Sequence, residues 1–293
     1  MLYVCATPIG NLDDVTLRVL ETLRAVALIA AEDTRRTRKL LSRHDIHTPT
    51  TSLFAHNEAE KTAYVLGLLR DGQDVALVTD AGLPGVSDPG LRLVAATVAE
   101  GLPLTVLPGP SAPATAVVAS GLAGDGGFCF VGYLPRRAAQ LRAAVAAWRR
   151  CPGVVVAFET GPRLGASLTE LAALAPDAPV AVCRELTKVH EEVVRGTLAE
   201  LAQRYGARGT TVGVPAVKGE ITLVIELPAT ADDAAQAERA GAAAAALRDG
   251  GLSRRDAAAA LAVCLGLRRS VAKRLVDATF ERNAPPPSEG RLR

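Results

Sequence analysis

The chain has few aromatic residues, few histidines and almost no excess of either charge. Aromatic residues make up 3% of the 293 residues, which leaves little material for a platform that stacks single-stranded bases. The formal net charge is only +2, so the field of the whole molecule does not favour a polyanionic partner. The four histidines show no zinc-ligand spacing, and we predict no metal site.

Paired cysteine motifs and long apolar runs are also missing, and we expect no leader. The five cysteines are odd in number, scattered and without a CxxC pair, which argues against a disulfide framework and favours buried thiols in a reducing compartment. No apolar run reaches the ~18 residues of a membrane span. The start, MLYVCATPIG, lacks a basic segment and does not fit a signal peptide. We therefore expect a cytoplasmic protein with no membrane partner.

The composition that is present predicts a folded protein of more than one domain. Hydrophobic residues make up 49% of the chain, which is enough for a large core. Its length is near or above the size at which chains fold as more than one domain. The 33 basic residues comprise five lysines and 28 arginines. Arginine suits bidentate binding of phosphate. A GC-rich coding sequence, which also supplies the alanines, accounts for this bias equally well.

The first third of the chain alternates short apolar runs with amphipathic stretches. This pattern predicts a parallel sheet covered by helices on both faces. The predicted strands are residues 2–6, 26–31, 51–54, 75–79 and 104–107. The predicted helices are residues 15–23, 34–44, 57–70 and 91–100. Asn57 and Glu60 predict a capping arrangement at the start of the third helix.

A second set of strands and helices follows a glycine-rich hinge at residues 121–127. The predicted strands are residues 128–133, 154–159, 180–184, 192–195, 211–214 and 221–227. The predicted helices are residues 138–149, 164–175 and 198–205, the last capped by Thr197 and Glu200. Residues 228–241 are predicted to be a linker, followed by two short helices at residues 253–265 and 270–282.

These patterns divide the chain into four parts. We predict an N-terminal α/β domain at residues 1–120 and a second α/β domain at residues 121–228. A basic helical appendage at residues 241–283 follows, and residues 284–293, with three prolines, form a disordered tail.

Each predicted strand of the first third ends in a polar or glycine-rich segment. Ligands of open parallel sheets bind beyond the carboxyl ends of the strands. We therefore expect one rim, formed by residues 7–11, 32–35, 56–58, 80–90 and 108–112. The segment 80–90 has three glycines and two prolines, which lets backbone groups approach a ligand closely. A plain double turn is the alternative. Neither a P-loop motif nor GxGxxG is present, so a nucleotide-like ligand must be held in another way.

Two adjacent carboxylates follow the second predicted strand. Glu32 and Asp33 lie where a general base could act on a ligand at the rim, and we predict them as the catalytic residues. His56 and Lys188 are the next candidates for this role. The local alternative is that Asp33 caps the following helix. Two charged segments of the second domain, 184–192 and 218–220, are further candidates for the site. The alternative for the first is a surface ion-pair cluster, and the alternative for the second is a simple turn.

Seven motifs occur in one order along the chain, namely TPIGNLDD, AEDTRRT, HNE, TDAGLPGVSDPG, LPGPSA, RELTKVHEE and KGE. Together they resemble the ribosomal RNA small subunit methyltransferase I family, which belongs to the tetrapyrrole-methylase-type class III S-adenosylmethionine-dependent methyltransferases. The resemblance runs from Tyr3 to about Leu227. It departs at ETGPR, where a serine-proline-histidine-arginine pattern is expected, which puts Thr160 and Gly161 in doubt as contacts. Thr79 also replaces a usual serine.

The resemblance implies a fold, a cofactor and a substrate. The fold is a two-domain, tetrapyrrole-methylase-like α/β fold with a mainly parallel sheet in the first domain, a mixed sheet in the second and a small helical C-terminal appendage. The cofactor is S-adenosylmethionine, bound in the cleft between the domains of a homodimer. The implied reaction is 2′-O-methylation of a cytidine ribose in the decoding region of 16S rRNA, with the small ribosomal subunit as partner.

The resemblance also implies site residues. The implied cofactor contacts are Pro8, Gly10, Asp80, Ala81, Gly82, Leu83, Ser87, Ser111, Ala112, Arg184, Lys218, Gly219 and Glu220. The predicted RNA contacts are Arg35, Arg36, His56, Lys188, Arg254 and Arg255. The basic terminal helices could instead stabilise a dimer. Two other functions stay open: a tetrapyrrole C-methyltransferase, and a non-catalytic ribosome-assembly factor that keeps the fold.

Overall fold

The computed structural model describes residues 1–122, 127–151, 153–206, 216–228, 231–265 and 269–281. Its contacts group the chain into two compact units, Met1–Leu227 and Pro228–Arg293. The described part of the chain contains no helix that is long and apolar enough to cross a membrane.

The first sheet of the larger unit has five parallel strands. They are β1 (Leu2–Cys5), β2 (Leu28–Ala31), β3 (Thr50–Ser52), β4 (Val75–Val78) and β5 (Leu104–Leu107), in the order β3-β2-β4-β1-β5. Every residue of β2 and β4 is buried, because helices cover both faces of the sheet. The parallel sheet predicted from the alternating pattern is confirmed.

Four helices cover this sheet, two on each face. They are α1 (Leu17–Ala25), α2 (Thr34–Arg43), α3 (Glu58–Arg70) and α4 (Leu91–Ala99). Helices α1 and α2 contribute to one core cluster, and α3 and α4 contribute to another. The chain steps one way along the sheet from β1 to β3 and the other way from β3 to β5, and right-handed crossovers therefore place the two helix pairs on opposite faces. A topological switch point, where ligands bind in such sheets, thus lies on each side of β4.

Asn57 precedes α3, but the predicted capping arrangement with Glu60 does not form. The Asn57 side chain makes no bond to the helix. Instead its Oδ1 accepts from the Phe54 N–H at 2.8 Å, and its Nδ2 donates to the Ser52 carbonyl at 3.2 Å. The short connection from β3 uses this amide to close its own turn, so the prediction was wrong here. The capping box of Thr197 and Glu200 is confirmed.

The second sheet of the larger unit is mixed, as expected. Its strands are β6 (Phe128–Tyr133), β7 (Val154–Thr160), β8 (Pro179–Arg184), β9 (Glu192–Thr197) and β10 (Glu220–Ile225), in the order β6-β7-β10-β8-β9. Strands β6 and β7 are parallel, and the other described pairs are antiparallel. One face packs against α6 (Ala138–Trp148), α7 (Gly161–Ala172) and α8 (Leu198–Tyr205). The strand predicted at residues 211–214 lies outside the described residues.

Helix α5 (Ala112–Ser120) covers the other face of the second sheet, although it follows the last strand of the first sheet. Ala116 and Val117 pack in one cluster with Val156 and Val224 of the second sheet. The guanidinium of Arg195 on β9 donates to the carbonyls of Ala119 and Ser120 and so satisfies two free acceptors at the end of the helix. This helix was not predicted from the sequence, because APATAVVAS has no polar face that would give it a helical period.

The described residues of the smaller unit form three helices around a small core. They are α9 (Ala231–Asp249), α10 (Arg254–Cys264) and α11 (Arg269–Glu281), and their core includes Ala244, Leu261 and Val276. The last two confirm the predicted terminal helices. The predicted linker at residues 228–241 was wrong, because most of it is the first half of α9. Alanine is the strongest helix former, so a run rich in alanine favours a helix there. The predicted disordered tail lies outside the described residues.

Candidate active site

A cavity of about 480 Å³ lies within the larger unit, where the strand ends of both sheets meet. Segments after β1, β2, β4 and β5 contribute to its lining, so four of the five predicted rim segments reach it. The second sheet contributes the ends of β6, β7 and β8 and the start of β10. The cavity is of the size that small-molecule and cofactor sites usually have.

The loop after β4 is tied to the loop after β1 by two backbone hydrogen bonds. The Thr7 N–H donates to the Gly82 carbonyl at 2.8 Å, and the Gly82 N–H donates to the Thr7 carbonyl at 3.0 Å. Gly82 has φ of +79°, which a side chain would strain. The bridge holds the backbone of residues 80–83 along the cavity.

Glu32 and Asp80 lie side by side at the ends of β2 and β4. The Asp80 N–H donates to Glu32 Oε2 at 3.2 Å, the Asp33 N–H donates to Asp80 Oδ1 at 3.2 Å, and Arg36 Nη1 lies 3.3 Å from Asp80 Oδ2. Desolvation by burial raises the pKa of Glu32 and of Asp80 above their usual values. Both carboxylates line the cavity, together with Arg36.

Asp33 has the local role that the sequence left open as an alternative. Its Oδ1 accepts from the backbone N–H of Arg35 at 2.9 Å and caps α2, and its Oδ2 pairs with the Arg35 guanidinium at 2.7 Å. The bonds from the Arg35 side chain and backbone hold the pKa of Asp33 well below its usual range. Asp33 is absent from the described cavity lining.

Asp88 is a further carboxylate on the cavity wall. Its pKa is raised to about 7. Desolvation by burial is the largest cause, and the negative charges of Glu32, Asp80 and Glu220 contribute the rest. Asp88 lies in the predicted rim segment 80–90, but the sequence did not place it among the site residues. Its raised pKa depends on carboxylates from other strands, which the local sequence does not show.

The second sheet supplies an ion-pair cluster at the opposite wall. Lys188 Nζ lies 2.9 Å from Glu185 Oε1 and 2.8 Å from Glu220 Oε2. Desolvation lowers the pKa of Lys188, but its bonds to the two carboxylates outweigh it and the pKa is raised. Gly219, beside this cluster, has φ of +103°, and a Cβ there would lie 2.6 Å from the Glu185 side chain. Glu220 and Gly219 line the cavity.

Eight of the thirteen predicted cofactor residues line the cavity, namely Asp80, Ala81, Gly82, Leu83, Ser111, Ala112, Gly219 and Glu220. Pro8, Gly10 and Ser87 lie on the same loops but outside the described lining. Gly10 packs so closely on the segment 186–188 that a Cβ would lie 2.5 Å from Thr187 Oγ1. Arg184 pairs with Glu192 at 3.0 Å and, with Lys218, borders a smaller neighbouring cavity of about 220 Å³.

The predicted RNA contacts fall into three groups. Arg36 lines the cavity, and Arg35 and Lys188 are held in the ion pairs described above. His56 is exposed beside Phe54, with ring centroids 6.3 Å apart. In the smaller unit, Arg254 lies over the Phe280 ring and 3.9 Å from Asp277, and Arg255 is exposed.

Apolar and buried residues of the second sheet complete the lining, and they were not predicted from the sequence. Tyr133, Phe158, Leu186 and Ile221 stand at strand ends that only the tertiary fold brings to the cavity. Glu159, whose side chain is 0% exposed, accepts from Ser167 Oγ at 2.5 Å and pairs with Arg163 at 3.2 Å. The motif ETGPR was the available signal, and Thr160 and Gly161 also line the cavity.

The described residues contain no cluster of histidine, cysteine and acidic side chains that could hold a metal ion. All five cysteines, which lie in the described ranges, are free thiols. Burial raises the pKa of the Cys183 thiol, which lines the cavity, to about 11, so at neutral pH it is not the reactive thiolate.

Comparison with known sequences identifies the class of protein to which these two sheets and their shared cavity belong. The family model described as Tetrapyrrole (Corrin/Porphyrin) Methylases matches residues 1–202. A ribosomal RNA small subunit methyltransferase I from Micromonospora olivasterospora is 45% identical over 224 residues, which cover 76% of this chain and 69% of that protein. One from Mesorhizobium japonicum is 44% identical over 240 residues, 81% of this chain and 79% of that protein. The chain belongs to the ribosomal RNA small subunit methyltransferase I family.

The fold has a solved counterpart. The uroporphyrin-III C-methyltransferase from Thermus thermophilus, in complex with S-adenosylhomocysteine, superimposes with a TM-score of 0.53 at 18% identity. The match covers 77% of this chain and 96% of that chain. At this identity the likeness concerns the fold, and it confirms the tetrapyrrole-methylase architecture that the motifs implied.

Proposed function

We propose that the protein transfers a methyl group from S-adenosylmethionine to the ribose 2′-hydroxyl of a cytidine in the decoding region of 16S rRNA. The observation that carries the proposal is the cavity between the two sheets, which presents carboxylates and bent backbone loops in a chain of this methyltransferase family. We further propose that the protein acts in the cytoplasm as a homodimer on the small ribosomal subunit.

The residues of the cavity fit the cofactor. S-adenosylmethionine supplies a methyl group on a sulfonium, which is already an activated leaving group, and it also carries an ammonium. Glu32, Asp80, Asp88 and Glu220 give the cavity an excess of negative charge over Arg36, which suits a cationic ligand. The Gly82 and Gly219 loops offer backbone groups for the polar edges of an adenosine. Apolar residues such as Leu83 and Ile221 provide the surface for its rings.

The chain's own part in catalysis is positioning and proton removal. The bridge between Thr7 and Gly82 fixes the loops that would orient the donor. Tyr133, Phe158 and Leu186 give the cavity apolar walls, which would keep water from a bound donor and so remove a competing nucleophile. A ribose hydroxyl is a weak acid, so a carboxylate must accept its proton during attack. Of the two residues predicted for this role, Glu32 lines the cavity.

Binding of rRNA is proposed to use arginines outside the cavity in addition to Arg36, since the cavity itself is acidic. Arg255 of the smaller unit is exposed and close to the start of α10, where the helix dipole also favours phosphate. Arg254, in contrast, packs on Phe280. We propose that the basic helices of the smaller unit add phosphate contacts and that Arg36 contacts RNA at the mouth of the cavity.

The test is mass spectrometry of 16S rRNA from a strain that lacks the protein. We expect one ribose methyl group to be missing from a decoding-region cytidine and to return when the gene is restored. Purified protein and S-adenosylmethionine should then methylate small subunits or naked 16S rRNA from that strain, and comparing these two substrates identifies the natural one. An unchanged methylation pattern, or methyl transfer to a tetrapyrrole instead, would contradict the proposal.

A further inference from the structure

One carboxylate on the cavity wall has no partner among the residues that the structure describes. Within the described part of the chain, the Asp88 side chain makes no hydrogen bond and no ion pair, although it lines the cavity and is only partly exposed. Buried or half-buried carboxylates are normally paired, because desolvation of an unpaired charge is costly. An unpaired carboxylate at the wall of a cavity is therefore available to a group that enters it.

The neighbouring carboxylates are all engaged. Glu32 accepts from the Asp80 N–H, and Asp80 is paired with Arg36. Asp33 caps α2, and Glu220 is paired with Lys188. Each of these groups thus has a structural role in the folded protein, whereas Asp88 has no such bond among the described residues.

The charges around Asp88 also prepare it to accept a proton. Glu32 at the end of β2, Asp80 after β4 and Glu220 at the start of β10 surround it with negative charge. The nearby cation, Arg36, is directed to Asp80, and Tyr133 faces the same group of carboxylates. Together with desolvation, these charges raise the pKa of Asp88 to about 7. A carboxylate with a pKa near the working pH is a better general base than an ordinary one.

We propose that Asp88 is the general base that accepts the proton of the substrate hydroxyl. This assignment rests on the proposed function. In the step, the hydroxyl oxygen forms a bond to the methyl carbon, the carbon–sulfur bond breaks and its electron pair stays on sulfur. The hydroxyl proton passes to the Asp88 carboxylate, which later releases it to solvent. The two predicted catalytic residues then have other roles: Asp33 orders the start of α2, and Glu32 holds the loop at Asp80.

Single-turnover kinetics of Asp88→Asn test the assignment. The amide keeps the size of the side chain but cannot accept the proton, so the rate should fall about 100-fold, while calorimetry should give an S-adenosylhomocysteine affinity within about threefold of wild type. The wild-type rate should rise with pH through an apparent pKa near 7, because the base must be ionised, and the variant should lose this limb. Asp88→Glu should keep the limb with a shifted midpoint. Asp71→Asn, at an exposed carboxylate after α3, is the matched control and should react normally.

A second measurement does not depend on activity. Carboxyl carbon NMR of the protein, with the Asp88 resonance assigned from its absence in Asp88→Asn, should show titration near pH 7. A resonance that titrates near pH 4, or an Asp88→Asn rate within threefold of wild type, would overturn the assignment and leave the proposed function intact. If the wild-type protein itself leaves 16S rRNA unmethylated, the proposed function fails and the assignment fails with it.

Discussion

Replacing Gly161 by alanine tests whether α7 must approach the backbone of the cavity wall as closely as it does. A Cβ at Gly161 would lie 1.9 Å from the Val217 carbonyl oxygen and 2.7 Å from its carbon, where ordinary contacts begin at 3.4 Å. The obstacle is backbone, so the segment before β10 would have to move by more than 1 Å. Overpacking of this kind costs about 1–3 kcal/mol, of which better helix propensity returns a part. We therefore expect a net loss of about 2 kcal/mol and a melting temperature about 4–8 °C lower.

The displaced segment also carries Gly219 and Glu220 into the cavity wall, so binding should suffer together with stability. We expect the affinity for S-adenosylhomocysteine, measured by calorimetry, to fall about tenfold, or ~1.4 kcal/mol. Gly67→Ala is the matched control. Gly67 lies inside α3, and nothing lies within 4 Å of the position that an added methyl group would take, so its replacement should stabilise the protein by ~0.5–1 kcal/mol without changing affinity. A Gly161→Ala protein that melts and binds like wild type would refute the proposed close approach.

Three further predictions concern the loop, the buried ion pair and the smaller unit. Gly82→Val places a β-branched residue at φ of +79°. It should cost ~1–2 kcal/mol of stability and weaken binding of the methyl donor, measured by calorimetry. An affinity equal to that of the wild type would remove this loop from the site. Arg163→Leu should destabilise the fold by ~3 kcal/mol in urea unfolding, because it leaves the Glu159 carboxylate buried without its cation; an unchanged midpoint would contradict this. Arg255→Gln should reduce the salt dependence of rRNA binding, plotted as log K against log salt concentration, by about one unit of slope. Arg142→Gln on α6 is the control and should leave the slope unchanged. Equal slopes for both variants would exclude a phosphate contact at Arg255.

The parallel sheet and its rim could be predicted because their signals are local. Apolar runs that lack an internal polar period mark strands buried on both faces, and β5 begins and ends where the sequence placed it. The sequence therefore predicts that the polar segments after β1, β2, β4 and β5 share one rim. Helix α5 gave no such signal, since its exposed and buried positions carry the same small apolar residues.

The roles of individual carboxylates could not be predicted, because they depend on neighbours far away in sequence. Asp33 and Asp88 are both acidic residues of the predicted rim, yet the bonds from Arg35 lower the pKa of Asp33, whereas desolvation and then the surrounding carboxylates raise the pKa of Asp88. Asp33 meets its partner two residues away, and a cap was foreseeable. Asp88 is influenced by Glu32 and Glu220, which the fold alone brings near. The sequence therefore predicted Glu32 and Asp33 as catalytic residues, because their position directly after a strand can be recognised from the local pattern.

The attachment of α5 to the second sheet has a consequence for synthesis of the chain. The strands of the first sheet are complete once Leu107 has been made, but the apolar residues of α5 pack against β7, β8 and β10, the last of which ends at Ile225. The helix is therefore fully covered only after about a hundred residues of further translation, on the order of ten seconds. During that interval Ala116 and Val117 lack the strands of the second sheet that cover them, and α5 is an apolar segment of the half-made protein that a chaperone or another nascent chain could bind.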